Sequence, residues 1–165
     1  MHQLKGKYFY TARKDRAAST LGFNTNLTPI NGSTFWIEDV SGQGEYIFNG
    51  NGTGTAQGKH IVMWPLPFDC SATDEFSNPF TYSVASDGTV TIVLENFKAT
   101  FLTGPWTGMA YTVNSFSLSG MVSTDLQTLT FATQTPSVIE TLTMSNGVVH
   151  YQICGVALVM IRMEQ

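Results

Sequence analysis

Short runs of alternating apolar and polar residues fill most of this chain, and turn residues separate them. A period of two is typical of strands that bury one face of a sheet. The clearest runs cover residues 7–12, 53–64, 80–84, 110–122 and 148–163. We count nine or ten strands, each joined mostly to its neighbour along the chain. This order predicts an all-β fold, namely a single antiparallel up-and-down β-barrel of about eight to ten strands, with a β-sandwich as the alternative.

Two hairpins can be given a register from their turns. Ser86-Asp87-Gly88 fits a three-residue loop in which Gly88 takes the left-handed conformation. Pairing residue 85 with residue 89 then places Tyr82 opposite Ile92, so that apolar side chains match across the two strands.

The C-terminal hairpin turns at Asn146-Gly147, which fits a two-residue type I′ turn because both central residues of that turn need positive φ. Pairing residue 145 with residue 148 places Glu140 opposite Ile153. In this register Glu140 shares an otherwise apolar face with Tyr151, and His150 lies on the opposite face. The hairpin therefore predicts one carboxylate in an apolar wall, diagonal to a tyrosine.

The two segments that lack periodicity are residues 14–32 and 65–78. Long irregular segments are uncommon inside a compact domain. We expect them to cap one end of the barrel or to cover a seam. With 165 residues and no fixed-period repeat, the whole chain (1–165) is predicted to form one domain around one core.

Charged residues make up 12% of the chain, about half of the usual ~25%, which suits strands and turns better than surface helices. The net charge is −4, but five of the eight basic residues lie within the first sixteen positions, among them Lys14 and Arg16. The acidic remainder argues against nucleic-acid binding, which needs clustered basic side chains. We interpret the basic start as an exposed edge strand that lysines protect from pairing.

Several other features narrow the class of protein. The longest apolar run, residues 153–161, is too short for a membrane span, which takes about 20 residues. Since no signal-peptide pattern is visible at the start, we expect a cytoplasmic protein. Cys70 and Cys154 are predicted to be free thiols. No residue set has the spacing of a metal site, so neither a metal nor a cofactor is predicted.

Two features resemble the lipocalin-like (calycin) barrels. Gly6-Lys7-Tyr8 resembles the Gly-X-Trp motif that opens the first lipocalin strand, and Arg162 resembles the arginine that packs over that aromatic residue at the barrel floor. Stretches 123–130 and 138–147, with Ile153-Cys154, are similar to uncharacterised bacterial proteins of calycin type. The tryptophan is a tyrosine here and the lipocalin cysteine pattern is missing, so secretion and disulfides are not carried over. The resemblance implies the barrel fold and no particular activity.

Glu140 is the first candidate for chemistry. Burial in an apolar wall disfavours the charged carboxylate and raises its pKa, which is how proteins make general acids and bases. Tyr151, on the same predicted face, would hydrogen-bond the carboxylate or orient a ligand carbonyl. These two residues are the catalytic candidates.

A barrel of this size has room for one small ligand. We expect a small apolar molecule to bind inside, anchored by Glu140. The predicted wall consists of Trp36, Trp64, Tyr82, Phe116, Phe131, Glu140 and Tyr151. One alternative is an isomerase or cyclase that uses Glu140 in the same cavity. Another is a barrel with a filled core that serves as a subunit, for instance of a homodimer.

Overall fold

The computed structural model describes residues 4–65, 68–132 and 139–163; at Phe116 it describes the backbone only. In these ranges the chain is all-β and contains no helix, hence none long and apolar enough to cross a membrane. The strands are β1 (Lys5–Ser19), β2 (Phe35–Asn49), β3 (Thr53–Trp64), β4 (Cys70–Val84), β5 (Thr89–Leu94), β6 (Phe97–Phe101), β7 (Ala110–Val113), β8 (Phe116–Val122), β9 (Thr128–Ala132), β10 (Ile139–Met144) and β11 (Val149–Arg162).

All eleven strands belong to one antiparallel sheet, and eight of them form a ring in the order β1-β2-β3-β4-β5-β8-β9-β11. The ring closes where β1 pairs with β11 over twelve residue pairs, from Tyr8 opposite Arg162 to Ser19 opposite Tyr151. β1 also pairs with β2 along its full length. The basic N-terminal segment is therefore not an exposed edge, and the prediction that it is one was wrong.

The other three strands, β6, β7 and β10, bridge β4 to β11 on a second path through the sheet. Each of these two long strands has two partners in succession along one edge. β4 pairs with β6 near its start and with β5 near its end, while β11 pairs with β10 and then with β9. Hence β5 pairs with β8 rather than with the next strand in sequence, and the connections are not strictly up-and-down.

Several strands differ from their predicted bounds. β1 runs to Ser19 and β4 begins at Cys70, each inside a segment expected to be irregular. The alternation continues there, but polar residues such as Lys14, Arg16 and Asp74 interrupt the inward apolar positions, so no continuous apolar pattern marks the strand. The run at 110–122 divides into β7 and β8, because the chain there leaves β6 and β10 to join β5 and β9.

Even-numbered residues of the five long strands β1, β2, β3, β4 and β11 point into the ring. One end of the interior, here called the closed end, is filled with buried aromatic and aliphatic side chains, namely Leu4, Tyr8, Phe48, Phe80, Ile92, Leu94, Leu129, Phe131 and Met160. There the hydroxyl of Tyr8 donates to the carbonyl of Leu126 (2.7 Å) and that of Tyr82 to the carbonyl of Leu4 (2.5 Å). These two bonds fix Leu4 and the turn at Leu126 to the closed end of the ring.

Asn78 marks the place where β4 exchanges one partner strand for the other. Its side-chain amide donates to the carbonyl of Lys98 (2.9 Å) and its side-chain oxygen accepts from the Lys98 amide (2.8 Å). The Asn78 side chain is buried. It therefore supplies, at the branch, the two hydrogen bonds that a neighbouring strand would otherwise give to Lys98.

We expect Asn78→Ala to lower the free energy of unfolding by about 2 kcal/mol, because it leaves two backbone groups of Lys98 without these partners. Urea denaturation followed by circular dichroism measures this change. Ser77→Ala, on the outward face of the same strand, is the matched control and should change stability by less than about 0.5 kcal/mol. Equal stability of the two variants would contradict a structural role for Asn78.

Candidate functional site

The β10–β11 hairpin turns through three residues rather than two. The Met144 amide donates to the carbonyl of Val148 (2.8 Å), and Gly147 has a φ of 87°. Asn146 does not need the left-handed conformation; its side chain accepts a hydrogen bond from the Val148 amide (3.1 Å). The predicted type I′ turn was therefore wrong, and the register shifts by one residue.

That shift separates the two catalytic candidates. Glu140 lies opposite Gln152 on the inner face, whereas Tyr151 lies opposite Thr141 on the outer face. The Gln152 amide donates to the Glu140 carboxylate (2.7 Å). The predicted pairing of Glu140 with Tyr151 in one wall was wrong, because a slip of one residue turns each side chain to the other face. The same slip brings His150 inside, contrary to the expectation.

A cavity of about 320 Å³ occupies the end of the interior opposite the closed end. We call it the aromatic cavity. Its apolar and aromatic walls are Trp36, Val62, Trp64, Phe68, Phe101, Trp106, Leu142, Met144, Val148 and His150, and its polar contributors are Arg16, Thr20, Thr34, Glu38, Tyr111 and Asn146. Thr20 and Phe68 come from the two segments, 14–32 and 65–78, that were expected to cap one end. All three tryptophans of the chain line this cavity.

Glu38 organises the floor of the aromatic cavity. One carboxylate oxygen accepts from the indole N–H of Trp36 (2.8 Å) and of Trp64 (3.0 Å), and the other accepts from Nη1 of Arg16 (3.2 Å). All four side chains are buried. Burial opposes the charge of Arg16, but Glu38 raises the pKa of the guanidinium above its usual range, so the guanidinium stays charged.

A second buried network adjoins this floor. Asp74 is fully buried and accepts from the Tyr111 hydroxyl (2.7 Å) and from Nδ1 of His60 (2.9 Å). The other ring nitrogen of His60 lies 3.3 Å from the ammonium nitrogen of Lys14. Since the carboxylate only accepts, His60 donates through Nδ1 and accepts from Lys14 through Nε2. Four side chains thus form one chain of hydrogen bonds that ends in the aromatic cavity at Tyr111.

The burial of this network sets its protonation. Burial, assisted by the positive charge of Lys14, lowers the pKa of His60 to about 4, so the imidazole is neutral at pH 7. Burial acts against the charged form of Asp74, but the hydrogen bonds from His60 and Tyr111 hold the pKa of that carboxyl below its usual value. Burial also raises the pKa of Tyr111 well above 10, and the phenol keeps its proton.

The predicted ligand wall divides between the two ends of the interior. Trp36 and Trp64 line the aromatic cavity, whereas Tyr82 and Phe131 pack at the closed end, and Tyr151 is outside. Glu140 is inward but is not among the described residues that line the cavity. The Phe116 side chain lies outside the described part of the structure.

Arg16, Glu38, His60, Asp74 and Tyr111 form the polar part of the site, and the sequence did not single them out for it. The one indication in the sequence is their position: each stands where the alternation of its strand turns a side chain inward. Because polar residues at inward positions look like solvent-facing ones, apolar periodicity alone does not find them. Cys154, opposite Arg16 on the inner face, is a free thiol whose pKa is raised by burial, and Cys70 is free as well.

Comparison with known proteins assigns no role to this cavity. The chain matches no family model, no curated protein and no solved structure. In the described ranges, no three His, Cys, Asp or Glu side chains are grouped so as to hold a metal ion. The chemistry of the site must therefore be inferred from the aromatic cavity and its floor.

We expect the protein to become less stable as the pH is lowered, because of His60. Between its usual pKa of 6.5 and about 4 in the folded protein, the unfolded chain binds a proton that the native state does not. The free energy of unfolding should therefore decrease as the pH drops through this window, by on the order of 3 kcal/mol from this residue. Urea denaturation at pH 7, 6, 5 and 4.5 measures the slope.

His60→Gln isolates this contribution, because glutamine has no proton to gain in this range. The variant should be less stable at pH 7 and should lose stability less steeply towards pH 4.5. His150→Gln is the control, since His150 is only half-buried; it should leave most of the slope in place. Parallel pH profiles for wild type and His60→Gln would show that the buried imidazole is not responsible.

Proposed function

We propose that this protein binds a small, mostly apolar molecule in the aromatic cavity. The observation that carries the proposal is a cavity of about 320 Å³ walled by Trp36, Trp64, Trp106 and further apolar side chains. Ligand pockets typically enclose about 300–1,000 Å³ and combine apolar walls with a few placed polar groups. A cavity near the lower limit suits a molecule of two or three fused rings.

The arrangement of the rings favours a flat ligand. Trp64 packs edge-on against Trp106 (4.7 Å between ring centroids), and Trp36 packs edge-on against His150 (4.9 Å) and Phe68 (5.8 Å). Edge-on contacts of this kind leave ring faces for a third aromatic group. Since the indole N–H groups of Trp36 and Trp64 both bind Glu38, these two walls offer the ligand ring surface rather than donors.

We further propose that the ring of strands is a calycin-like barrel, closed at one end and open at the other. Tyr8, the residue that resembles the opening lipocalin aromatic, lies directly opposite Arg162. A Cβ at Gly6 would lie 3.5 Å from Nε of Arg162, so the guanidinium covers the start of β1. Both observations support the resemblance, and a cup of this shape suits a ligand that enters from the open end.

The alternative functions have less support. The isomerase or cyclase hypothesis needed Glu140 and Tyr151 in one wall, and they lie on opposite faces of the sheet. The filled-core hypothesis, in which the protein serves only as a subunit, agrees poorly with a cavity of about 320 Å³ in the interior. The binding hypothesis needs no contact between Glu140 and Tyr151, and it requires an unfilled cavity of the kind that is present.

The three cavity tryptophans make the proposal directly testable. Titration with N-phenyl-1-naphthylamine, a neutral apolar fluorophore, should quench tryptophan emission and give a saturable one-site curve. Trp106→Leu removes ring contact from a half-buried position in a loop and should weaken binding about tenfold, which corresponds to about 1.4 kcal/mol.

Phe131→Leu is the matched control, because it makes the same kind of truncation at the closed end. It should lower stability but leave the affinity within about twofold, in line with sites that are distant and independent. The proposal fails if the wild-type protein gives no saturable signal. It fails equally if the two variants lose affinity to the same degree.

A further inference from the structure

We infer that the ligand of the aromatic cavity is a hydroxyaromatic compound whose uncharged hydroxyl binds between Arg16 and Tyr111. This inference rests on the proposed function and names the class of molecule that the cavity takes. It depends on which polar atoms of the floor are already committed to other protein groups and which are left for a ligand.

Arg16 has donors to spare. Its guanidinium carries five N–H bonds, and Nη1 donates one of them to Glu38. The Cys154 thiol, opposite Arg16 on the inner face, is a second neighbour that interacts with the guanidinium, whereas Nε is buried and has no hydrogen-bond partner among the described residues. The side chain is 6% exposed and borders the aromatic cavity. Because Nε has no surface open to the cavity, the remaining N–H groups of Arg16 are the ones that call for an acceptor atom on the ligand, since a buried cationic donor is costly to leave unpaired.

Tyr111, in contrast, is left with an oxygen that can accept a hydrogen bond. Its hydroxyl proton goes to Asp74, whose other oxygen is held by His60. Turning that proton towards the cavity would leave a fully buried carboxylate short of a partner. The phenol of Tyr111 thus donates within the network, and only the lone pairs of its oxygen remain available to a ligand. Tyr111 therefore calls for a donor on the ligand.

One hydroxyl group meets both demands, because it donates its proton to Tyr111 and accepts from Arg16 at the same time. An ether or a ketone would accept from Arg16 and leave Tyr111 unmatched. A carboxylate would add negative charge beside Glu38, which already balances Arg16. The aromatic walls select a ring to carry the hydroxyl. Together these constraints favour a phenol over an ether, an acid or a plain hydrocarbon.

Isothermal titration calorimetry of the full chain with three naphthalene derivatives tests the inference. The probes are 2-naphthol, 2-methoxynaphthalene and 2-naphthoate, which share the ring and differ in the polar group. We expect 2-naphthol to bind about tenfold more tightly than the methyl ether, and the carboxylate to bind more weakly than 2-naphthol. This comparison uses the wild-type protein and needs no variant to fold.

Tyr111→Phe should then remove most of the preference for 2-naphthol while leaving the affinity for the methyl ether within about threefold. Tyr46→Phe, at a buried tyrosine outside the aromatic cavity, is the matched control and should keep the preference.

Four outcomes would overturn the inference. Equal binding of naphthol and ether, or a preference that persists in Tyr111→Phe, would refute the hydroxyl site and leave the apolar cavity standing. Tightest binding of 2-naphthoate would show that Arg16 accepts an anion instead. If none of the probes binds and N-phenyl-1-naphthylamine also fails, the proposed function falls together with the inference.

Discussion

The pairing of β1 with β11 is the contact on which the rest of this protein depends. It joins the first strand of the sheet to the last over twelve residue pairs and thereby makes a ring. Once the sheet is closed, most inward side chains are removed from water, polar ones such as Arg16, Glu38, His60 and Asp74 included. The inner face then has to satisfy its own polar groups, because no solvent is available to do so. The floor of the aromatic cavity follows from that requirement.

Glu38 shows how the requirement is met. A buried carboxylate is costly unless its oxygens are occupied, and here two indole N–H groups and one guanidinium occupy them. The same bonds fix the orientations of Trp36 and Trp64, so that satisfying a charge also shapes the cavity wall. Asp74 plays the corresponding part for His60 and Tyr111. Rigid walls of this kind reduce the ordering cost that a ligand pays on binding.

The two hairpin turns show where sequence reasoning succeeds and where it fails. In both loops a Ser-Asx-Gly triplet precedes the returning strand, the Asx side chain accepts from the amide two residues on, and only the glycine has positive φ (86° at Gly88, 87° at Gly147). Treating the first triplet as a three-residue loop gave the observed pairing of Tyr82 with Ile92, which is confirmed. Treating the second as a two-residue turn misplaced Glu140 by one position. The local chemistry was the same, and one residue of loop length decided which face was buried.

The sequence by itself determined the strand content, the antiparallel sheet and the aromatic character of the interior, because alternation and turn residues act over a few neighbouring positions. It also predicted Trp36 and Trp64 as parts of a ligand wall, and both line the cavity. Only the tertiary structure decided that β4 and β11 each take two partners, since strand length does not reveal which edges meet. Hairpin register places Arg16 opposite Glu38 and His60 opposite Asp74, but only the tertiary structure buries these pairs and brings Tyr111, 37 positions from Asp74, into the same network. Polar residues at inward positions carry no local mark of burial, and their partners are set by strand order and register.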